Sequence, residues 1–117
     1  MFSVLPAGRA ALAEWVTSPF DGHQVRDELT LRAYSVWLAD PHAAAAVFRA
    51  EARQHLEQLG RYEGYRLEME RTSGPALKRP ETPEFATHAT LQRGLAYERE
   101  LATWCAWLAD ALERTPD

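Results

Sequence analysis

Cysteine and lysine are both nearly absent from this sequence, and each shortage narrows what the protein can be. A single cysteine, Cys105, among 117 residues leaves no internal disulfide to form. It lies in an apolar helical run, where a buried structural thiol is the better reading than a nucleophile. With no disulfide framework and no signal-peptide pattern, the sequence reads as cytoplasmic. Lysine occurs once, at Lys78; the other basic residues are arginine, which reflects a GC-rich bacterial codon bias before it reflects arginine chemistry. Positive charge is outnumbered as well: 13 basic residues against 17 acidic ones give a net charge of −4. A chain so balanced lacks the basic face that nucleic-acid phosphates require. No apolar run approaches the ~18 residues that suggest a membrane span.

Recognisable catalytic patterns are missing too. There is no G-x-S-x-G, no glycine-rich phosphate loop and no Cys/His dyad spacing, so the sequence reads as non-enzymatic. His23, His42, His55 and His88 do not fall three or four residues apart and have no cysteine nearby, so no metal site is expected and the histidines read as solvated or capping. No cofactor is implied. The carboxylates interleave with arginines as on a solvated helix face. Glu28 and Glu98, set among apolar neighbours, are the exceptions. Each is expected in a structural ion pair with an arginine such as Arg26, Arg32, Arg93 or Arg99.

What the sequence does have is helix. An apolar content of 46% with 26% charged residues describes one folded domain. Met1 to Leu5 reads as an extended lead-in, and Ala7 to Val16 as a short helix opened by Pro6. Ser18 to His23 (SPFDGH) is a turn. A second helix is expected from His23 to Ala39. Val25, Leu29, Ala33, Val36 and Trp37 lie on one face, while Leu31, Tyr34 and Leu38 lie on another, so this helix is sandwiched. Asp40 caps and Pro41 opens a third helix, whose stripe of Phe48, Ala52, Leu56, Leu59, Tyr62 and Met69 runs to about residue 70. About 30 residues at ~1.5 Å each make a rod of ~45 Å, against a radius of gyration of ~13 Å for a compact chain of this length. Such a rod is expected to overhang its subunit and pack on a second copy. Gly60 and Gly64 threaten its continuity. Arg71 to Glu84, with Gly74, Pro75, Pro80 and Pro83, reads as a mobile loop. A last helix from Ala86 to Arg114 is apolar over more than half its circumference.

The order of these blocks resembles the PadR-type transcriptional regulators. SVLPAGRAALAEWV is similar to the segment where the wing of their winged helix ends and a linker helix begins, through Ser3, Gly8, Arg9, Leu12 and Trp15, with Leu5 where threonine is usual. Arg26, Glu28, Leu31, Arg32, Leu38 and Pro41 match the opening of the C-terminal, virulence-activator-alpha-like domain of that family. EARQHLEQLGRYEGY resembles its long antiparallel arm, and Gly94, Glu98 and Trp104 match its closing helix. The resemblance implies an all-α fold of four helices with the arm packed as an intertwined dimer. Residues 1–22 would be the remnant of wing and linker, and residues 23–117 the dimerisation and effector domain. It further implies a regulator that meets DNA only through an N-terminal winged helix which this sequence does not carry. The alternative is a standalone module forming mixed dimers with a full-length relative.

Two sets of site residues follow. Tyr34, Trp37, Tyr62, Tyr97, Trp104 and Trp107 are candidates for a flat slot holding a small aromatic or hydrophobic effector. Simple packing is the better reading of any one of them; the resemblance favours the slot for the group. Phe48, Leu56, Leu59, Leu91, Leu95, Leu101, Trp104, Leu108 and Leu112 are the candidate homodimer interface, and exchanging Leu95 and Leu108 for glutamate is the sequence's own test of it.

Overall fold

The computed structural model describes residues 5–19 and 27–116. Among them the structure is all helical: α1 (Pro6–Val16), α2 (Glu28–Tyr34), a 3₁₀ turn (Val36–Leu38), α3 (Pro41–Ser73), a second 3₁₀ turn (Gly74–Lys78) and α4 (Pro83–Glu113). The expected lead-in at residues 1–4 and most of the SPFDGH turn lie outside the described residues.

Each start has a local cause. The Asp27 carboxylate accepts the Leu29 and Thr30 backbone N–H groups at 3.1 and 3.3 Å, capping α2. Asp40 accepts the Ala43 N–H at 2.8 Å with Pro41 at the first helical position. Thr82 does the same for α4, accepting the Phe85 N–H at 3.1 Å ahead of Pro83. These satisfy donors that the first helical turn leaves without intrahelical partners.

The third helix is continuous through Gly60 and Gly64, as expected, and runs on to Ser73. Two other expectations change. The expected mobile loop contracts to a tight corner, because α3 extends into it from one side and α4 begins three residues early at Pro83. At this corner Gly74 adopts φ 52° and ψ −128°, the first central position of a type II′ turn, open to glycine at low cost, with Pro75 set for the second. The Thr82 hydroxyl donates to the Ala76 carbonyl at 2.8 Å and locks the corner. The expected start of the second helix at His23 lies outside the described residues; at its other end the helix tightens to 3₁₀ after Tyr34.

The consequence is that α3, with 33 residues, and α4, with 31, fold back on each other along their length. Their contacts run in reverse order: Arg49 with Asp110 and Glu113, His55 with Glu98, Tyr62 with Gly94. This is an antiparallel hairpin. The expectation that the long rod must find all its cover on a second copy is therefore corrected, since α4 of the same chain covers one stripe of it. That stripe keeps a 3.5-residue repeat. Ala45, Phe48, Ala52, His55, Leu59 and Tyr62 on α3 face Leu91, Leu95, Glu98, Ala102, Cys105 and Ala109 on α4, and all of them are buried or half-buried. Alternating steps of three and four are the signature of a coiled-coil seam.

The core is thin. Phe48, Ala52, Cys105 and Ala109 form its centre, with Leu29, Ala33 and Val36 of the α2 region laid over them on one flank. Alanines at the seam let the two backbones approach closely. Among the described residues α1 packs against no other element, and none of its residues is buried.

Candidate functional site

The opposite flank of the hairpin is charged. Arg49 of α3 bridges Asp110 at 2.5 Å and Glu113 at 2.9 Å, and these carboxylates, Asp110 foremost, raise its guanidinium further above its ordinary range. Farther along, Arg99 reaches Glu63 at 3.1 Å. Such exposed pairs hold register more than they stabilise.

Within the seam lies one polar cluster that the sequence reading placed wrongly. Glu98 is buried, at 7% exposure, and its partner is not an arginine but His55, with Nδ1 2.5 Å from the carboxylate. The other ring nitrogen lies 3.4 Å from Glu51. His55 is thus half-buried between two carboxylates, not solvated, and the Tyr97 ring meets it edge-on with centroids 6.3 Å apart. The signal for this was present: residue 55 continues the 45, 48, 52 spacing, which the neighbouring Leu56 does not. Leu56 is 61% exposed on the charged flank. Glu28 pairs with Arg32, one of the expected arginines, one turn away, but on the exposed surface and not among buried neighbours. Cys105 is fully buried, and burial pushes its thiol up to about 11, as the structural reading of that residue requires.

The six candidate ligand aromatics do not converge within one chain. Tyr62 rests its ring on α4 where Gly94 has no side chain; a Cβ there would stand 3.1 Å from the ring. Trp104 stacks edge-on against Phe48 with centroids 6.0 Å apart. Tyr97 is held between His55 and the Arg93 guanidinium, which sits 5.7 Å from its centroid. Trp107 points outward beside Trp104. Tyr34 and Trp37 are 84% and 79% exposed on the outer side of the α2 region. A single slot between helices is therefore not formed by these residues in one protomer.

Of the candidate interface residues, Phe48 and Leu95 are buried in the chain's own seam, at 2% and 3% exposure. They are corrected to core, because the fold-back of α4 consumes them. Leu59, Leu91, Leu101, Leu108 and Leu112 are half-buried along the hairpin.

Among the described residues, two open apolar clefts lie on the hairpin away from the α2 region. One, of 540 Å³, is lined by Tyr62, Ala86, Thr87, Thr90, Leu91 and Gly94, toward the corner. The other, of 620 Å³, runs from Ala96 past Thr103 to Trp104 and Trp107 on the outside of α4. Among the described residues no cluster of histidine, cysteine and carboxylates has metal-holding geometry, and no helix is long and apolar enough to cross a membrane. What the arrangement can do is offer apolar faces to another surface.

No curated protein and no solved structure matches the chain. A family model does, over residues 25–113, which spans α2, both long helices and the corner between them. An all-α hairpin with open apolar faces is thus the form taken here by a regulatory domain: the chain belongs to the virulence activator alpha C-terminal family.

Proposed function

We propose that the chain is the dimerisation and effector-responsive half of a PadR-like transcriptional regulator, acting in the cytoplasm with no catalytic step of its own. One observation carries this reading. The chain exposes 9562 Å², whereas a compact monomer of its mass exposes about 6400 Å². Its radius of gyration is 19.7 Å, against about 13 Å for a compact domain of this length. Part of the excess, about 3000 Å², belongs to α1, which packs on no other element; the remainder is of the order of one partner's share of an obligate homodimer interface. Much of the surface is apolar: Leu31, Tyr34, Trp37, Leu38, Tyr65, Tyr97 and Trp107 are all exposed. Apolar surface on that scale favours association, and a second copy is the simplest partner.

In this reading the homodimer sets the spacing of two fused winged helices, which alone touch DNA. A small aromatic or hydrophobic effector that binds one arrangement of the protomers better than another shifts that spacing. The aromatic cleft beside Trp104 and Trp107 supports the effector part.

Light scattering on a sizing column over a tenfold concentration range tests the central claim. A mass of twice 13.2 kDa supports it, and a monomer throughout overturns it. Quenching of tryptophan fluorescence by a panel of aromatic acids tests the effector part, since Trp104 and Trp107 line one of the two clefts.

A further inference from the structure

The outward face of α2 and the cleft beside Tyr62 have complementary positions on the hairpin, and together they define how two copies meet. The α2 region covers only half of the apolar flank. Val36 packs on the Phe48 cluster, and with Arg32, Ala44 and Val47 it lines an open cleft of 450 Å³ at that seat near the start of α3. Farther along the same side, at the spacing 47, 51, 58, 62, 65 that keeps one face of a helix, the polar Glu51 and Gln58 separate Val47 from the Tyr62 cleft and the exposed Tyr65. Meanwhile Leu31, Tyr34, Trp37 and Leu38 stand on the other side of the α2 region, away from its own hairpin, all more than 60% exposed. A helix apolar on both sides is a layer with something above and below it.

We propose that the occupant of the cleft is the α2 region of a second copy, so that the homodimer is a reciprocal step-and-notch joint. This rests on the dimer reading above and specifies its surface. Val47, beside the step, and Tyr62, in the notch, are 15 residues apart on one continuous helix, about 22 Å along its axis. A two-fold axis crossing the hairpin midway, beside His55, exchanges the two positions. Each α2 then lies over the other copy's notch, both apolar steps are covered at once, and the joint closes on itself as an isologous contact must. Tyr97, half-exposed next to His55, falls near the axis. The opposite flank, occupied by the Arg49, Asp110, Glu113, Arg99 and Glu63 charges, stays in solvent. Exposed aromatic residues facing a cleft with a glycine floor are the composition of an interface centre.

Three preparations decide it: the unchanged chain, Leu31→Asp/Tyr34→Asp on the step, and Thr87→Arg/Thr90→Arg on the notch. All four substituted residues are exposed, and circular dichroism verifies that both variants keep their helix. The expected result is a dimer for the unchanged chain and a dissociation constant raised at least tenfold in each variant. A one-to-one mixture of Tyr34→Cys and Thr90→Cys chains, oxidised, is expected to form a disulfide-linked dimer. The unchanged chain, whose one thiol is buried, is not. If the unchanged chain is a dimer and both charged variants dimerise as tightly, the joint is wrong while the dimer stands. If the unchanged chain is a monomer, the dimer reading falls first and the joint with it.

Discussion

Replacing His55 by alanine strands the Glu98 carboxylate in the seam, because His55 is its side-chain partner among the described residues. Leaving a buried polar partner unsatisfied costs about 2–3 kcal/mol, and urea unfolding of His55→Ala is expected to show a loss of that size. His55→Leu with Glu98→Leu, which removes both partners, is expected to be nearly neutral. That contrast separates the pair's net worth from the penalty of breaking it. Cys105 makes a second prediction at this scale. Its thiol is held up to about 11 in the fold, above the ~8.5 of an unfolded cysteine. The folded state therefore keeps a proton that the unfolded state releases. This contribution to stability is complete below about pH 8.5 and is lost as pH rises toward 11. Iodoacetamide is expected to label Cys105 at the rate of global unfolding, which mass spectrometry across a urea series measures.

The glycines of the hairpin separate by what surrounds them. At Gly60 and Gly64 an added Cβ meets nothing within 4 Å, and both lie in the interior of α3. Gly60→Ala and Gly64→Ala are each expected to stabilise by up to about 1 kcal/mol, the helix-propensity difference. Gly74→Ala is expected to destabilise by about 1 kcal/mol or more, because its φ of 52° with ψ of −128° penalises any Cβ. A set of thermal melts compares the three. Gly94 differs from all of these, since its missing side chain is the floor on which Tyr62 rests. The capping residues act at this scale too: hydrogen bonds from Thr30, then from the Leu29 N–H, hold the Asp27 carboxyl below the usual range. An Asp27→Ala chain is expected to lose helix at α2 first, which amide exchange resolves.

At the scale of the molecule, extents of 63 × 36 × 22 Å describe a body too elongated to bury much of itself. In the proposed dimer, mass action would stabilise such a fold alongside its own core. Its melting temperature is expected to rise with chain concentration, by several degrees over a hundredfold range, if the proposed dimer forms. A concentration-independent melt would count against it. The isolated α1, shorter than the length at which helices hold alone in water, is expected to exchange its amides far faster than α3 and α4.

Much of this was legible in the residues. Asp40 before Pro41 marks the start of α3, and the spacing of Leu29, Ala33 and Val36 marks the side of the α2 region that meets the hairpin, because capping and periodicity are local properties. The 3.5-residue spacing through Ala45, Phe48, Ala52 and His55 was legible in principle, though a histidine in the stripe hid it behind Leu56. The partners were not. That Glu98 meets His55 and no arginine, that Leu95 and Phe48 belong to one chain's seam, and that six aromatics scatter over separate faces all depend on α4 folding back at Gly74. A corner of a few residues joins side chains more than 40 positions apart, and the hairpin's register, fixed by packing along its whole length, decides which of them touch.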